Sequence, residues 1–278
     1  MSRIDLHVHP FLGNKNLVDV VGAMEYQDLD IIAVESLDAS IYPQVISDAK
    51  KFYSNSMITP EGIRLRKGRY ILNAREYNTK ENLHILTVGY SMDEATPRTE
   101  IRNIIDNGIK NNALIILGHS FVDNGKTRTA GHISDDLSEE LEELCKEYSG
   151  QIALEWNSYC IPWMRKGLQH WLNFRGIETK YYDVNKKAEE LSESLRNQGY
   201  NVPIIADTDL HAGTKKDLKH MGTSRIIMDT KGITPREVID SMRKNIFDGN
   251  YRNDKKYVDF SHLMGVYCLP FLLSRFSK

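Results

Sequence analysis

The chain has 278 residues, of which 41% are hydrophobic and 27% are charged, and its formal net charge is -2. This length fits one α/β barrel, and a chain of this size can bury a core that needs no disulfide bonds. The near-neutral charge excludes the basic excess typical of proteins that wrap nucleic acid. Its three cysteines form no Cys-x-x-Cys pair, which excludes a zinc knuckle or a disulfide framework.

The first part of the chain alternates between strands and helices. Residues 4–8 have the composition of a buried strand, and apolar residues at helical spacing follow at 17–24. Residues 30–34 predict a second strand, and residues 41–49 predict a second helix. This alternation predicts a parallel sheet whose strands are joined by crossover helices.

The pattern continues to about residue 250. Residues 69–75 and 84–89 predict two strands joined by a polar link. Further strands are predicted at 113–117, 152–156, 202–206 and 224–228, and further helices at 99–111, 134–146, 183–198 and from Thr234 onward. About seven strands with intervening helices and no linker favour one barrel-like domain.

The end of the chain differs in composition from the rest. Residues 251–278 contain an apolar and aromatic run that is interrupted by Pro270. We therefore divide the chain into a barrel domain at 1–250 and a C-terminal segment at 251–278 that packs on the barrel or at an interface. A membrane-surface contact of this segment is an alternative that the sequence leaves open.

Signals for cellular location are also readable in the sequence. The first residues carry no basic segment followed by an apolar run, which is the pattern of a secretory signal. Apolar stretches stay shorter than the roughly 18 residues that a membrane-spanning helix needs. Scattered cysteines are typical of a reducing compartment, so we expect a cytoplasmic protein without a transmembrane segment.

Two pairs of possible metal ligands have the spacing that strands require. His7 and His9 lie two residues apart at the end of the first predicted strand, and residues two apart on a strand point to the same face. Asp209 and His211 repeat this spacing just after the strand predicted at 202–206. Parallel barrels place their active sites at these strand ends, and converging imidazoles suit a transition-metal ion.

Three more possible ligands stand at the ends of other predicted strands. Glu76 follows the strand predicted at 69–75, His119 follows a later strand, and His84 begins the strand after Glu76. Acidic side chains are rarely buried unless they are paired or bound to metal. The repetition from strand to strand therefore predicts a metal site.

These motifs, in this order, resemble the polymerase and histidinol phosphatase (PHP) superfamily. The chain has Asp-Leu-His-x-His from Asp5, a Glu after a middle strand, a lone His after a later strand, and a terminal Asp-x-His. The resemblance runs to about Asp248 and includes the helix predicted at 235–244. It implies a distorted seven-stranded β/α barrel of the TIM-like type, and a hydrolase that cleaves phosphomonoesters or phosphodiesters with divalent metals.

The resemblance also implies a ligand set. Asp209 would join the opening histidine pair on one metal, Glu76 would bridge to a second metal, and His211 would serve a third metal or the substrate. Asp5 would orient the imidazoles from behind. The implied catalytic residues are Glu76, Asp209 and His211, and the implied metal ligands are His7, His9, Glu76, His84, His119, Asp209 and His211.

Two departures from the family pattern affect the third metal. Asn14 stands where the family usually has Asp, and Ser36-Leu37 stands where it usually has Asp-His. We therefore expect two divalent transition-metal ions, zinc, manganese or iron, with a third weak or absent. Glu35 or Asp38 as a replacement ligand is the alternative to this expectation.

The expected chemistry follows from such a metal pair. Two metals about 3.5–4 Å apart lower the pKa of a bridging water, and the resulting hydroxide attacks phosphorus. The near-neutral net charge favours a small phosphorylated substrate or nucleotide over long nucleic acid, and leaves the oligomeric state open. The predicted substrate contacts are polar side chains near the ligands: Arg75, Arg128, Lys215 and Asn157.

Two other functions remain as alternatives. Amidohydrolase-type metal enzymes also open with His-x-His on a barrel strand, but they use a bridging Lys where this chain has Glu76. A catalytically inactive PHP-fold binding module is suggested by the missing ligands of the third metal. The remaining ligand pattern favours the phosphoesterase over both.

Overall fold

The computed structural model describes residues 1–11, 15–35, 40–92, 99–122, 135–162, 166–167, 170 and 183–263. The strands of these ranges are β1 (Ser2–His9), β2 (Ile31–Val34), β3 (Met57–Thr59), β4 (Gly62–Arg64), β5 (Tyr70–Asn78), β6 (His84–Val88), β7 (Leu114–Gly118), β8 (Ile152–Asn157), β9 (Ile204–Asp207), β10 (Leu210–His211), β11 (Arg225–Met228) and β12 (Tyr251–Asp254). The helices are α1 (Leu17–Tyr26), α2 (Tyr42–Phe52), α3 (Ile101–Lys110), α4 (Asp135–Glu147), α5 (Val184–Asn197), α6 (Pro235–Phe247) and α7 (Phe260–Leu263). No helix in these ranges has the length and apolar character that crossing a membrane requires.

Local sequence signals explain where several helices begin. The Asn16 side chain accepts a hydrogen bond from the Asp19 backbone N–H, and the Asp19 side chain accepts one from the Asn16 backbone N–H. Helix α1 therefore starts with a capping box. Thr234 caps α6 in the same way, with Pro235 in the first turn as the sequence predicts.

The strands form one 12-stranded sheet that curls into a nearly closed barrel. Its main path runs β12-β11-β1-β2-β5-β6-β7-β8-β9. The far strand returns to the start, because the Thr208 backbone after β9 donates a hydrogen bond to Asp5 in β1 at 3.0 Å. The side chain of Asn253 in β12 also bonds the Ala206 backbone at 2.9 Å. The predicted barrel is confirmed, although its sheet has more strands than the seven expected.

The parallel pairing predicted from the first strands and helices is confirmed for those strands, but the sheet as a whole is mixed. β1, β2 and β5 run parallel, as do β7, β8 and β9, but β6 is antiparallel to both of its neighbours. Asn78 pairs directly with His84, and the link between them is too short for a crossover connection, which needs about a dozen residues. β11 is likewise antiparallel to β1 and to β12.

An irregularity in β1 determines which of its side chains face the barrel interior. Ile4 pairs with Ile31, whereas Val8 pairs with Val34, so β1 contains one more residue than β2 between these two points. Such a bulge reverses the alternation of side chains along a strand. Ile4 therefore points into the barrel before the bulge, and His7 points into it after the bulge.

The barrel interior below the site is filled by apolar side chains. This interior cluster comes from most of the strands and includes Ile4, Leu6, Ile31, Leu72, Leu86, Leu114, Ile116, Ala153 and Ile205, all fully buried. Two further apolar clusters lie between the sheet and its surrounding helices. The interior cluster supports the strand ends that carry the predicted ligands.

The domain division at residue 250 stays a prediction. β12, at Tyr251–Asp254, pairs with β11, so the sheet continues past that boundary. Residues 264–278, which contain most of the predicted apolar segment, lie outside the described residues.

Candidate metal centre

The opening histidine pair lies buried at the mouth of the barrel. The Nε2 atoms of His7 and His9 are 3.1 Å apart, and the two residues are 0% and 3% exposed. Both rings face the interior beyond the β1 bulge. The sequence spacing therefore brings two imidazole nitrogens to one point.

Glu76 lies between this pair and a second group of histidines. Its Oε2 is 3.4 Å from His9 Nε2, and its Oε1 contacts His84 Nδ1 and is 3.6 Å from His119 Nε2. His84 Nδ1 and His119 Nε2 are themselves 3.1 Å apart. Glu76 stands within β5 rather than after it, because pairing with β6 extends that strand to Asn78.

Asp209 and His211 approach from the opposite side of the mouth. Asp209 Oδ1 is 3.2 Å from His7 Nε2 and 3.6 Å from His9 Nε2. His211 Nδ1 is 3.3 Å from the same oxygen, and the His211 and His9 rings are 4.4 Å apart. Asp209 holds a left-handed backbone with a φ of 54°, which aims its carboxylate at the histidine pair. Uncommon backbone conformations of this kind cluster at functional sites.

The predicted ligands thus come together from strands that are far apart in the sequence. Their ligand atoms form overlapping groups whose members all lie within 4.8 Å of one another. These groups are His7–His9–Glu76, Glu76–His84–His119 and His9–Asp209–His211. Each group mixes imidazole nitrogens with a carboxylate, which is a donor set that suits zinc, manganese or iron.

Sequence reasoning missed Glu155, which holds the central imidazole in place. Its Oε1 accepts from His7 Nδ1 at 2.5 Å, and its Oε2 accepts from Asn157 Nδ2 at 3.1 Å and from the His119 backbone. A carboxylate behind a ligating histidine fixes its tautomer, so Nε2 of His7 faces the centre. The sequence did contain a signal for Glu155, because a charged residue inside the buried strand predicted at 152–156 indicates a functional position.

Asp5 does not take the orienting role that the resemblance implies. Its carboxylate accepts from the backbones of Thr208 at 3.0 Å and Gly222 at 2.8 Å. Burial raises the pKa of Asp5 to about 6. Asp5 therefore joins β1 to the segments after β9 and before β11, and Glu155 orients His7.

A second buried carboxyl group, Asp207, lies behind Glu155. Burial and the neighbouring Glu155 raise the pKa of Asp207 well above its usual value. Although burial opposes charge on Glu155 as well, His7 and Asp207 hold its pKa well below the usual range. The opposite shifts place the negative charge of this pair on Glu155, next to His7 Nδ1.

The predicted substrate contacts are spread over different parts of the molecule. Asn157 is fully buried and donates to Asp209 Oδ2 at 2.8 Å, so it holds a ligand. Arg75 points away from Glu76, donates to the Met92 carbonyl and covers the Tyr77 ring. Lys215 is exposed and pairs with Asp19 at 2.8 Å. Arg128 lies outside the described residues.

The residues at the departures from the family pattern are only partly described. Asn14, Ser36, Leu37 and Asp38 lie outside the described residues. Glu35 is described, and its side chain is fully buried with Oε2 at 3.7 Å from His7 Nε2. Burial raises the pKa of this carboxyl well above its ordinary value.

Comparison with known proteins supports the fold through structure rather than sequence. No family model matches the chain, and no curated protein matches its sequence. Among solved structures, PsfC from Pseudomonas syringae has a TM-score of 0.56 at 14% identity, covering 99% of both chains. A two-domain protein from Bacteroides vulgatus, described as containing a predicted PHP-like metal-dependent phosphoesterase, has a TM-score of 0.51 at 12% identity, covering 92% of this chain and 65% of the other. The chain has the PHP-like fold.

A third similar structure corrects the predicted partner. The lesion-specific endonuclease PfuEndoQ from Pyrococcus furiosus has a TM-score of 0.52 at 15% identity, with 91% of this chain covered. The chain spans 57% of the length of that endonuclease. The prediction that a small phosphorylated substrate or nucleotide is favoured over long nucleic acid was wrong, since this fold also serves an endonuclease. Net charge summed over a chain does not report the local charge of a binding surface.

Proposed function

We propose that this chain is a metal-dependent hydrolase of phosphate esters. The observation that carries the proposal is the convergence of His7, Glu76 and Asp209 with four further histidines at one mouth of the barrel. The fold supports the choice of reaction, because it is shared with a structure described as containing a PHP-like metal-dependent phosphoesterase. Fold alone does not decide function, so the proposal depends on this donor set.

The residues present fit a divalent cation. Glu76 Oε1 is buried against the imidazoles of His84 and His119, and Asp209 Oδ1 is buried without a hydrogen-bond partner in the described part of the chain. Buried carboxylate oxygens are costly unless they are paired or coordinate a metal. His7 Nε2 lies 3.7 Å from the first of these oxygens and 3.2 Å from the second. A cation shared by these atoms would satisfy all three.

The ligand groups indicate how the chain would hold two ions. His7, His9 and Asp209 would bind one ion, and His84 and His119 would bind the other. The two carboxylate oxygens of Glu76 face different groups, so Glu76 would bridge them. A pair of such metals lowers the pKa of a water and polarises phosphoryl oxygens, which is the chemistry that phosphate-ester hydrolysis requires.

Other residues of the chain prepare this centre. Glu155 keeps the proton of His7 on Nδ1, so that the Nε2 lone pair is available to a cation. Asn157 holds Asp209 by its second oxygen. Burial lowers the pKa of His211 to about 4, so this imidazole is neutral at pH 7 and suited to act as a ligand at the rim.

The test combines metal analysis with turnover. The purified protein is loaded with manganese, zinc or iron, dialysed, and analysed for bound metal by mass spectrometry. Turnover is then measured on a phosphomonoester, a phosphodiester, duplex DNA with and without a lesion, and an amide. The matched variants are His7→Ala at the centre and His170→Ala at an exposed position.

The outcomes separate the alternatives. Bound metal with phosphate-ester turnover, lost in His7→Ala and kept in His170→Ala, supports the proposal. Bound metal with turnover of the amide alone would instead show an amidohydrolase-type enzyme. A wild-type protein that binds no metal and turns over nothing would show the inactive binding module.

A further inference from the structure

We propose that Glu35 is an additional ligand of the metal centre, supplied by the segment after β2. The proposal rests on the proposed function and extends it, because Glu35 belongs to none of the ligand groups described above. It would place a carboxylate in the region where the PHP pattern has Asp-His.

The pairing of β1 with β2 aims Glu35 into the barrel. Ile31 and Ala33 of β2 belong to the interior cluster, and side chains two apart on a strand share a face. The Glu35 backbone N–H continues the pairing by donating to the Val8 carbonyl at 3.0 Å. Glu35 is therefore the next inward position, at the level where His9 leaves β1.

The Glu35 carboxylate is buried without a hydrogen-bond partner. Its side chain is 0% exposed, and neither oxygen has a partner within the described ranges. A buried carboxylate in this condition is strongly disfavoured unless a proton or a cation compensates it. The Glu35 carboxylate therefore has the burial and the free oxygen atoms that a metal ligand requires.

The surroundings of His7 indicate where that cation would bind. Nδ1 of His7 donates to Glu155, so its Nε2 carries a lone pair when the ring is neutral. Three carboxylates surround that Nε2, namely Asp209 at 3.2 Å, Glu76 at 3.7 Å and Glu35 at 3.7 Å. A divalent cation at this point would bind the Nε2 lone pair and would attract all three carboxylates.

A carboxylate ligand at this place also affects metal choice. Carboxylates favour manganese more than imidazoles do, because oxygen donors are harder than nitrogen donors. We therefore expect Glu35 to contribute most to Mn²⁺ binding. Its removal should weaken the affinity for Mn²⁺ more than the affinity for Zn²⁺.

The experiment measures Mn²⁺ and Zn²⁺ binding to the metal-stripped protein by titration calorimetry. Glu35→Gln keeps the shape of the side chain and removes its charge. The control is Glu61→Gln, which removes a carboxylate that pairs with Arg236 away from the centre. Thermal unfolding of each metal-stripped variant is recorded alongside.

For Glu35→Gln we expect an Mn²⁺ affinity at least about tenfold weaker, of the size seen when residues supporting a metal site are lost. The melting temperature of the metal-stripped variant should equal or exceed that of the wild type, because a buried carboxyl group without a hydrogen-bond partner in the described ranges is replaced by an uncharged amide. A purely structural Glu35 would instead lower this melting temperature and leave Mn²⁺ binding unchanged. Glu61→Gln should keep wild-type affinity.

Two results would overturn the inference. Wild-type Mn²⁺ affinity and stoichiometry in Glu35→Gln would show that Glu35 is no ligand, while the proposed function would stand. A wild-type protein that binds no metal would overturn both proposals together. If Glu35→Gln does not fold, Glu35→Asp keeps the charge with a shorter reach, and unchanged affinity in that variant also contradicts the inference.

Discussion

The two ends of the barrel interior are built by the same strands and differ in almost every physical property. At the apolar end, away from the mouth, Ile4, Leu72 and Ile205 are fully buried in the interior cluster. A few residues further along β1 and β5, His7 and Glu76 are also buried but polar, and Asp209 Oδ1 beside them has no hydrogen-bond partner in the described ranges. The comparison teaches that the apolar end supplies stability, and that this stability offsets the cost of burying many ionisable groups at the mouth.

The largest effect is expected from removing a metal ligand at the mouth of the barrel. His7→Ala removes the imidazole that both Asp209 and Glu76 approach. We expect turnover of a phosphate ester to fall about 1000-fold, because metal stabilisation of transition-state charge is worth several kcal/mol. Steady-state kinetics at saturating Mn²⁺ measures the loss. Unchanged turnover in a correctly folded variant would place the active centre elsewhere.

The second effect tests how much the apolar end of the barrel contributes to the free energy of unfolding. Leu72→Ala removes a fully buried side chain from the interior cluster and leaves a cavity. We expect the free energy of unfolding to fall by about 3 kcal/mol, as measured by urea denaturation. Leu72→Met is the matched control and should cost less than about 1.5 kcal/mol. The folded fraction of Leu72→Ala should still bind metal. Loss of binding would show that metal binding at the mouth depends on the packing of the apolar end.

The third effect is stabilisation of the mouth by metal. A cation that binds only the folded chain at about 100 times its dissociation constant adds about 2.7 kcal/mol to stability. Thermal unfolding should therefore shift upward with Mn²⁺ and return with a chelator. The shift should be kept in Leu72→Ala and reduced in Glu76→Gln. An equal shift in all three proteins would mean that the ion binds outside the mouth.

The smallest effect concerns the rim of the mouth. The Tyr159 hydroxyl donates to His262 Nε2 at 2.6 Å and so ties α7 to the segment after β8. Tyr159→Phe should lower the free energy of unfolding by about 1 kcal/mol, the usual net value of one hydrogen bond. Hydrogen exchange should show lost protection in α7. Tyr26→Phe, at a position that is 81% exposed, is the control and should change neither.

Local sequence patterns were sufficient to predict many of the strands and several of the candidate metal ligands. Each predicted strand core has a strand in the structure, because apolar runs and alternation depend on near neighbours in the chain. The spacing of His7 and His9, and of Asp209 and His211, also depends only on local geometry. These residues could be chosen from the sequence before any contact was known.

Local patterns could not predict the direction of each strand or which individual side chains point into the barrel. Arg75 and Glu76 are adjacent in the sequence, yet only the pairing of β5 with β6 shows which one faces the centre. The bulge that turns His7 inward appears only in the register of β1 against β2. One additional residue in a strand reverses the facing of all that follow.

The sequence by itself determined the barrel class and a set of histidines and carboxylates with the spacing of metal ligands. Only the tertiary structure decided that Glu155 holds His7 across 148 positions of the chain, and that the buried Glu35 carboxylate lies 3.7 Å from the same ring. The physical reason is that periodicity reports which face of an element is buried. Contacts between distant strands depend on register and barrel closure, which no local pattern contains.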